Sequence, residues 1–114
     1  MRDIMTVFVT QENLKLNYSD AERFGEIVFL TAREYSASPN SLHNKQTRKV
    51  VSEKLAVFNL KEDYLLLSGS PIIMCFAYYL IAIRHLDGTI NLLKWNGYNK
   101  QYDKIAFEIG IKDI

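Results

Sequence analysis

The sequence predicts a single α/β domain with a mixed five-stranded sheet, a parallel core and two main helices. Three observations lead there. Short β-branched and aromatic runs alternate with two longer segments of helical character. Ser38-Pro39 and Ser70-Pro71 each offer a helix cap followed by a residue suited to the first helical turn. The chain has 114 residues, 48% hydrophobic and 24% charged, which fits one domain able to bury a core without cross-links.

Residues 6–10 (TVFVT) form the first predicted strand, and a polar stretch follows. Residues 18–25 (YSDAERFG) suggest one short helical turn. Ser19 is placed to cap it, Glu22 stands three residues on as in a capping box, and Gly25 can end it. Residues 26–31 (EIVFLT) give a second strand, whose uninterrupted apolar centre suits a strand covered on both faces.

A helix is expected from about Pro39 or Leu42 to Phe58, with Thr47, Val50, Val51, Leu55 and Phe58 on its buried face. After a turn at 61–63, residues 64–67 give the third strand. A second helix follows from Pro71 to about His85, and Asp87-Gly88 ends it. Residues 89–95 (TINLLKW) and 104–109 (KIAFEI) give two closing strands. The order strand, strand, helix, strand, helix, strand, strand contains two strand–helix–strand units. It therefore implies parallel strands with right-handed crossovers and an antiparallel edge, a Rossmann-like arrangement.

Composition excludes several function classes. A formal net charge of +1 gives no global attraction to nucleic acid. One cysteine, Cys75, rules out an internal disulfide and sits in an apolar run as a small buried thiol would. No histidine or cysteine cluster has metal-ligand spacing, and no cofactor motif is present. The longest apolar run, Ile72 to Ile83, is about twelve residues, against roughly eighteen for a membrane span. The N-terminal residues lack the apolar stretch of a signal peptide, so the expectation is a soluble, cytoplasmic protein.

In a parallel sheet, loops at the carboxyl ends of the strands are the default ligand site. Two loops qualify: Thr31-Ala32-Arg33-Glu34-Tyr35, and Ser68-Gly69-Ser70 at a helix N-terminus. Thr31, Arg33, Ser68, Gly69 and Ser70 are thus candidates for holding an anion or nucleotide, with Arg33 able to grip phosphate or carboxylate in a bidentate manner. The capping rules alone also account for the whole corner: glycine permits the turn, serine caps, proline begins the helix.

Catalysis has thinner support. His85 ends the helix that Ser70 begins, about 22 Å away at helical rise, so the two cannot pair. No constellation meets the geometric demands of an active site, and the sequence leans away from an enzyme.

The segment PIIMCFAYYLIAI is apolar all round, where a helix on one face of a sheet should have a polar side. Two neighbouring helical stripes, Ile73 with Ala77 and Met74 with Tyr78 and Ile81, are candidates for self-association, and a homodimer would cover them. The hairpin tip interleaves aromatics with lysines. Trp95, Tyr98 and Lys100 are the residues that could stack bases and neutralise phosphate. Cross-strand aromatic packing explains the same pattern, and the low overall charge disfavours nucleic acid.

The phrases FVTQENLKLNYSDAERFGEIVFLTAREYS, EDYLLLSGSPIIMCFA and INLLKWNGYNKQYDKIAFEI span most of the chain, from about Phe8 to Ile109. Together they resemble small uncharacterised proteins of tailed bacteriophages. The resemblance implies a setting, the cytoplasm of an infected bacterium and contact with a host protein, and brings no catalytic residues with it. The favoured expectation is a non-catalytic phage accessory protein acting through protein contacts as a homodimer. The alternatives are a small nucleotide- or anion-binding domain or enzyme and, third, a single-stranded nucleic-acid binder.

Overall fold

Eight segments of regular structure form along the chain in a computed structural model that describes residues 5–39 and 41–110. They are β1 (Thr6–Val9), a 3-10 helix (Ser19–Arg23), β2 (Glu26–Phe29), α1 (Leu42–Leu55), β3 (Tyr64–Leu66), α2 (Pro71–His85), β4 (Thr89–Asn96) and β5 (Gln101–Glu108). They build one five-stranded sheet in the order β2-β1-β3-β4-β5. The pairs β1–β2, β1–β3 and β3–β4 are parallel, and β4–β5 is antiparallel. The mixed sheet with a parallel core is the one the sequence predicts.

The connections explain the layers. From β1 to β2 the chain steps to one side, and the next two crossovers step to the other. Right-handed crossovers then place the first connector on one face and the next two on the opposite face. Accordingly, α1 and α2 share a core with Phe8, Leu65 and Ile90. The 3-10 helix contributes Ala21 to a second core with Val7, Val9, Leu66 and Leu93. The Rossmann-like part of the expectation is not confirmed. A Rossmann sheet orders its strands 3-2-1-4-5-6 with helices on both faces, whereas here both long helices lie on one.

Several local expectations need correcting. Ser41, not Ser38, caps α1, accepting the Asn44 N–H at 3.3 Å. The Ser38 hydroxyl turns instead to the Pro39 carbonyl in its own loop. Helix α1 ends at Leu55, yet Phe58 still reaches the core and tilts against Phe8 at 5.5 Å. Val50 is exposed, while Asn44 is buried and ties down the preceding loop through both Ser36 backbone groups. The 3-10 helix has no side-chain cap from Ser19, and the Asn17 side chain accepts the Ser19 N–H at 2.8 Å. Strand β5 begins three residues before the predicted Lys104, because Asn96 folds the hairpin loop by accepting the N–H groups of Tyr98 and Asn99.

Helix α2 matches its expected span, with Ser70 as cap and Pro71 as first residue. Leu86 closes it in the left-handed region at φ 61. No helix among the described residues is long and apolar enough to cross a membrane.

Candidate functional site

The direction of the crossovers reverses between β1 and β3, and open α/β sheets hold ligands in the crevice at such a point. Thr10 and Gln11 leave β1 there, and Ser68, Gly69 and Ser70 leave β3. The chain fills this crevice with its own side chains. Thr10 Oγ1 donates to the Ser68 carbonyl at 2.6 Å and accepts the Ser68 N–H at 2.9 Å. The Tyr18 hydroxyl lies 2.8 Å from Ser68 Oγ. Gln11 Oε1 accepts the Ser70 N–H at 2.5 Å, while Gln11 Nε2 donates to the Arg33 carbonyl at 2.8 Å. An amide oxygen thus stands at the amino end of α2, where a phosphate-binding corner would place its anion.

Gly69 makes this closure feasible. Its φ is +80, and a Cβ there would run into the Gln11 side chain closer than real Cβ atoms come. Ser70 is occupied as a cap, accepting the Ile72 N–H at 3.2 Å. Thr31 is buried, and its Oγ1 accepts the Arg33 N–H. Both predicted loops therefore reach the same edge of the sheet, and Ala32, Glu34 and Tyr35 of the first share a cleft with Gly69 and Ser70 of the second, while Arg33 turns to another. A cleft of about 700 Å³ above Gly69 and Ser70 is lined by Glu12, Lys15 and Glu34. Arg33 lines a neighbouring cleft of about 600 Å³ with Lys49, Glu53 and Lys54 against α1. Gln11 and Tyr18 were not legible as crevice residues, since nothing in their local sequence marks them.

On α2, Ile73, Ala77 and Ile81 lie in the core against the sheet. Sitting four residues apart, they form the stripe nearest the strands. Met74 and Tyr78 are half-buried and flank an apolar groove of about 260 Å³ with Leu67, Cys75, Leu92 and Phe107. The Tyr78 ring meets Phe107 edge-on at 5.7 Å. The stripe left open is Ile72 and Tyr79, each 56% exposed, with Ile83 at 43%. The 3-10 helix cannot cover it, being on the opposite face of the sheet.

At the hairpin, Trp95 stands opposite Tyr102 in the ladder and packs edge-on against it at 5.0 Å. Tyr98 is exposed in the loop, and Lys100 sits at φ 56. The three residues named for nucleic acid share one end of the molecule, with the Trp95 ring engaged in the cross-strand pair.

The edge of the sheet holds a cluster that the sequence did not reveal. The Tyr102 N–H donates to Asp20 Oδ2 at 2.7 Å, and Arg23 Nη2 donates to the Tyr102 carbonyl at 2.7 Å. Arg23 also bonds Asp20 at 3.3 Å and lies over the Phe24 ring. The Tyr102 amide, helped by Arg23 and opposed by partial burial, holds the Asp20 carboxyl below its usual range. Burial, with Tyr18 and Asp20 nearby, pushes the Tyr102 phenol up to about 12.

No curated protein and no solved structure matches the chain. The sequence model of one family, described as Phage Pam3 gp32-like protein, matches residues 5–109. That span takes in the filled crevice, α2 and the closing hairpin, and it agrees with the phage resemblance of the sequence motifs. The chain belongs to the Phage Pam3 gp32-like protein family.

Proposed function

We propose that this phage-family protein is a non-catalytic accessory protein that acts through protein–protein contacts, as a homodimer, in the cytoplasm of the infected bacterium. The supporting observation is the apolar surface left open on the helical side: Ile72, Tyr79 and Ile83 on α2, with Ile105 and Phe107 on β5. At about 25 cal/mol per Å², covering a few such side chains is worth several kcal/mol. Exposed apolar patches generally mark interaction sites.

Sedimentation velocity from low to high micromolar concentration tests the reading. A rise in mass toward twice that of the chain is expected, and a strict monomer throughout would overturn the homodimer. The cleft above Gly69 and Ser70 keeps a small-ligand reading in view. A nucleotide panel in thermal shift separates the two. Stabilisation that is lost in Lys15→Ala, which removes a cation lining that cleft, would favour the ligand.

A further inference from the structure

We infer that two copies of this chain join through β5, strand to strand and antiparallel, about a two-fold axis at Ala106. The inference rests on the homodimer reading above and specifies its interface. Strand β5 is an edge of the sheet, since only β4 pairs with it. An edge strand directs alternate N–H and C=O groups outward.

Three bonds fix which residues face out. The Ile109 N–H donates to the Gly88 carbonyl at 2.8 Å, continuing the ladder with β4, so the odd-numbered residues turn their backbone inward. Tyr102 has its N–H and C=O on the other side, where Asp20 and Arg23 take them. The even-numbered residues therefore face outward. Tyr102 is stoppered at one end, and Gly110 turns the chain at φ 48 at the other. Between them lie Lys104, Ala106 and Glu108, and among the described residues nothing pairs with their outward backbone groups. This open row is symmetric about Ala106.

Its side chains are self-complementary in that register. With Ala106 on the axis, Lys104 stands opposite Glu108 of the partner subunit, and the reverse pair forms across the axis. Ile105 stands opposite Phe107 of the partner subunit on the helical face, where both residues are now exposed. The two apolar grooves beside Phe107 and Tyr78 then flank one seam. Sliding the register either way by one allowed step places Lys104 opposite alanine or glycine. It also brings the occupied Tyr102 or the turn at Gly110 into the ladder. Opposite charges facing across antiparallel strands attract and like charges repel, which selects the centred register.

The test uses the full chain in sedimentation velocity, with circular dichroism and thermal melting to verify folding. Lys104→Glu and Glu108→Lys each place like charges opposite one another twice, and each is expected to weaken association by roughly tenfold. The double variant Lys104→Glu with Glu108→Lys restores the pairs and is expected to regain the wild-type constant. Ala106→Pro removes an outward N–H without touching a bond to β4, so the fold is kept and the dimer is lost. If the wild type dimerises but the charge variants and Ala106→Pro do so equally well, the interface lies elsewhere and the β5 assignment is overturned while the homodimer stands. A wild type that is monomeric at all concentrations overturns both.

Discussion

Asp20 and Tyr102, 82 residues apart, are joined by a 2.7 Å hydrogen bond from the Tyr102 amide to the Asp20 carboxylate. With Arg23 on the Tyr102 carbonyl, a short helix on one face of the sheet clasps one residue of the edge strand from the side. Asp20→Ala should leave that amide to water. Exchange of the Tyr102 N–H is expected to quicken by roughly tenfold or more, with the β3 amides unchanged, as read by hydrogen exchange. Because the Asp20 pKa is lowered on folding, its contribution is present above the unfolded value near 3.8 and fades as pH falls through the lowered one. The same amide should therefore lose protection in acid.

The phenol of Tyr102 titrates at about 12 in the folded chain, against 10.0 for an unperturbed tyrosine. The folded state thus holds this proton where the unfolded state has lost it. The associated stability is complete below pH 10 and declines as pH rises toward 12. Denaturant midpoints should fall across that window. In Tyr102→Phe the fall should be smaller, the phenol being gone from both states.

Gln11 bridges two loops through both ends of its amide. Gln11→Ala is expected to cost about 1–3 kcal/mol, since the Ser70 N–H loses its partner. Gly69→Ala should cost a similar amount, about 1–3 kcal/mol, through its left-handed backbone and its clash with Gln11. The two losses should be somewhat less than additive, because Gln11→Ala removes the Oε1 and Cδ contacts with the new side chain while its own Cβ contact stays. Chemical denaturation of the two single variants and the double measures this directly.

Two isoleucines separated by one position on α2 should behave differently. Ile81 is buried at 1% exposure, and Ile81→Ala is expected to destabilise the fold by about 2–4 kcal/mol. Ile83 is open to solvent, and Ile83→Ala should change stability by less than about 1 kcal/mol. Thermal melting of both variants checks the assignment of the two faces.

The sheet and both helices were legible because local signals agreed with the tertiary packing. Ser70-Pro71 caps α2 as its residue types dictate, and the apolar runs become β1 to β4. The start of β5 was not legible, since Gln101 and Asp103 carry little strand preference and are recruited by pairing with Asn96 and Lys94. The surplus of apolar residues on α2 was plain in the sequence, but their phase was not. A segment apolar on every side gives no contrast from which to read the buried face, and only the sheet decides that Ile73, Ala77 and Ile81 go inward. The crevice residues escaped notice for a different reason. Gln11, Tyr18 and Ser68 meet through long-range contacts that no spacing rule encodes.

The clasp at Tyr102 also bears on how the protein behaves when crowded. A bare border strand invites indefinite stacking of chain upon chain, the route to insoluble fibrils. Here the side chains of Asp20 and Arg23 shorten the adhesive border to a few residues. In the dimer proposed above, a mate docked there would leave no further border on that side for a third molecule.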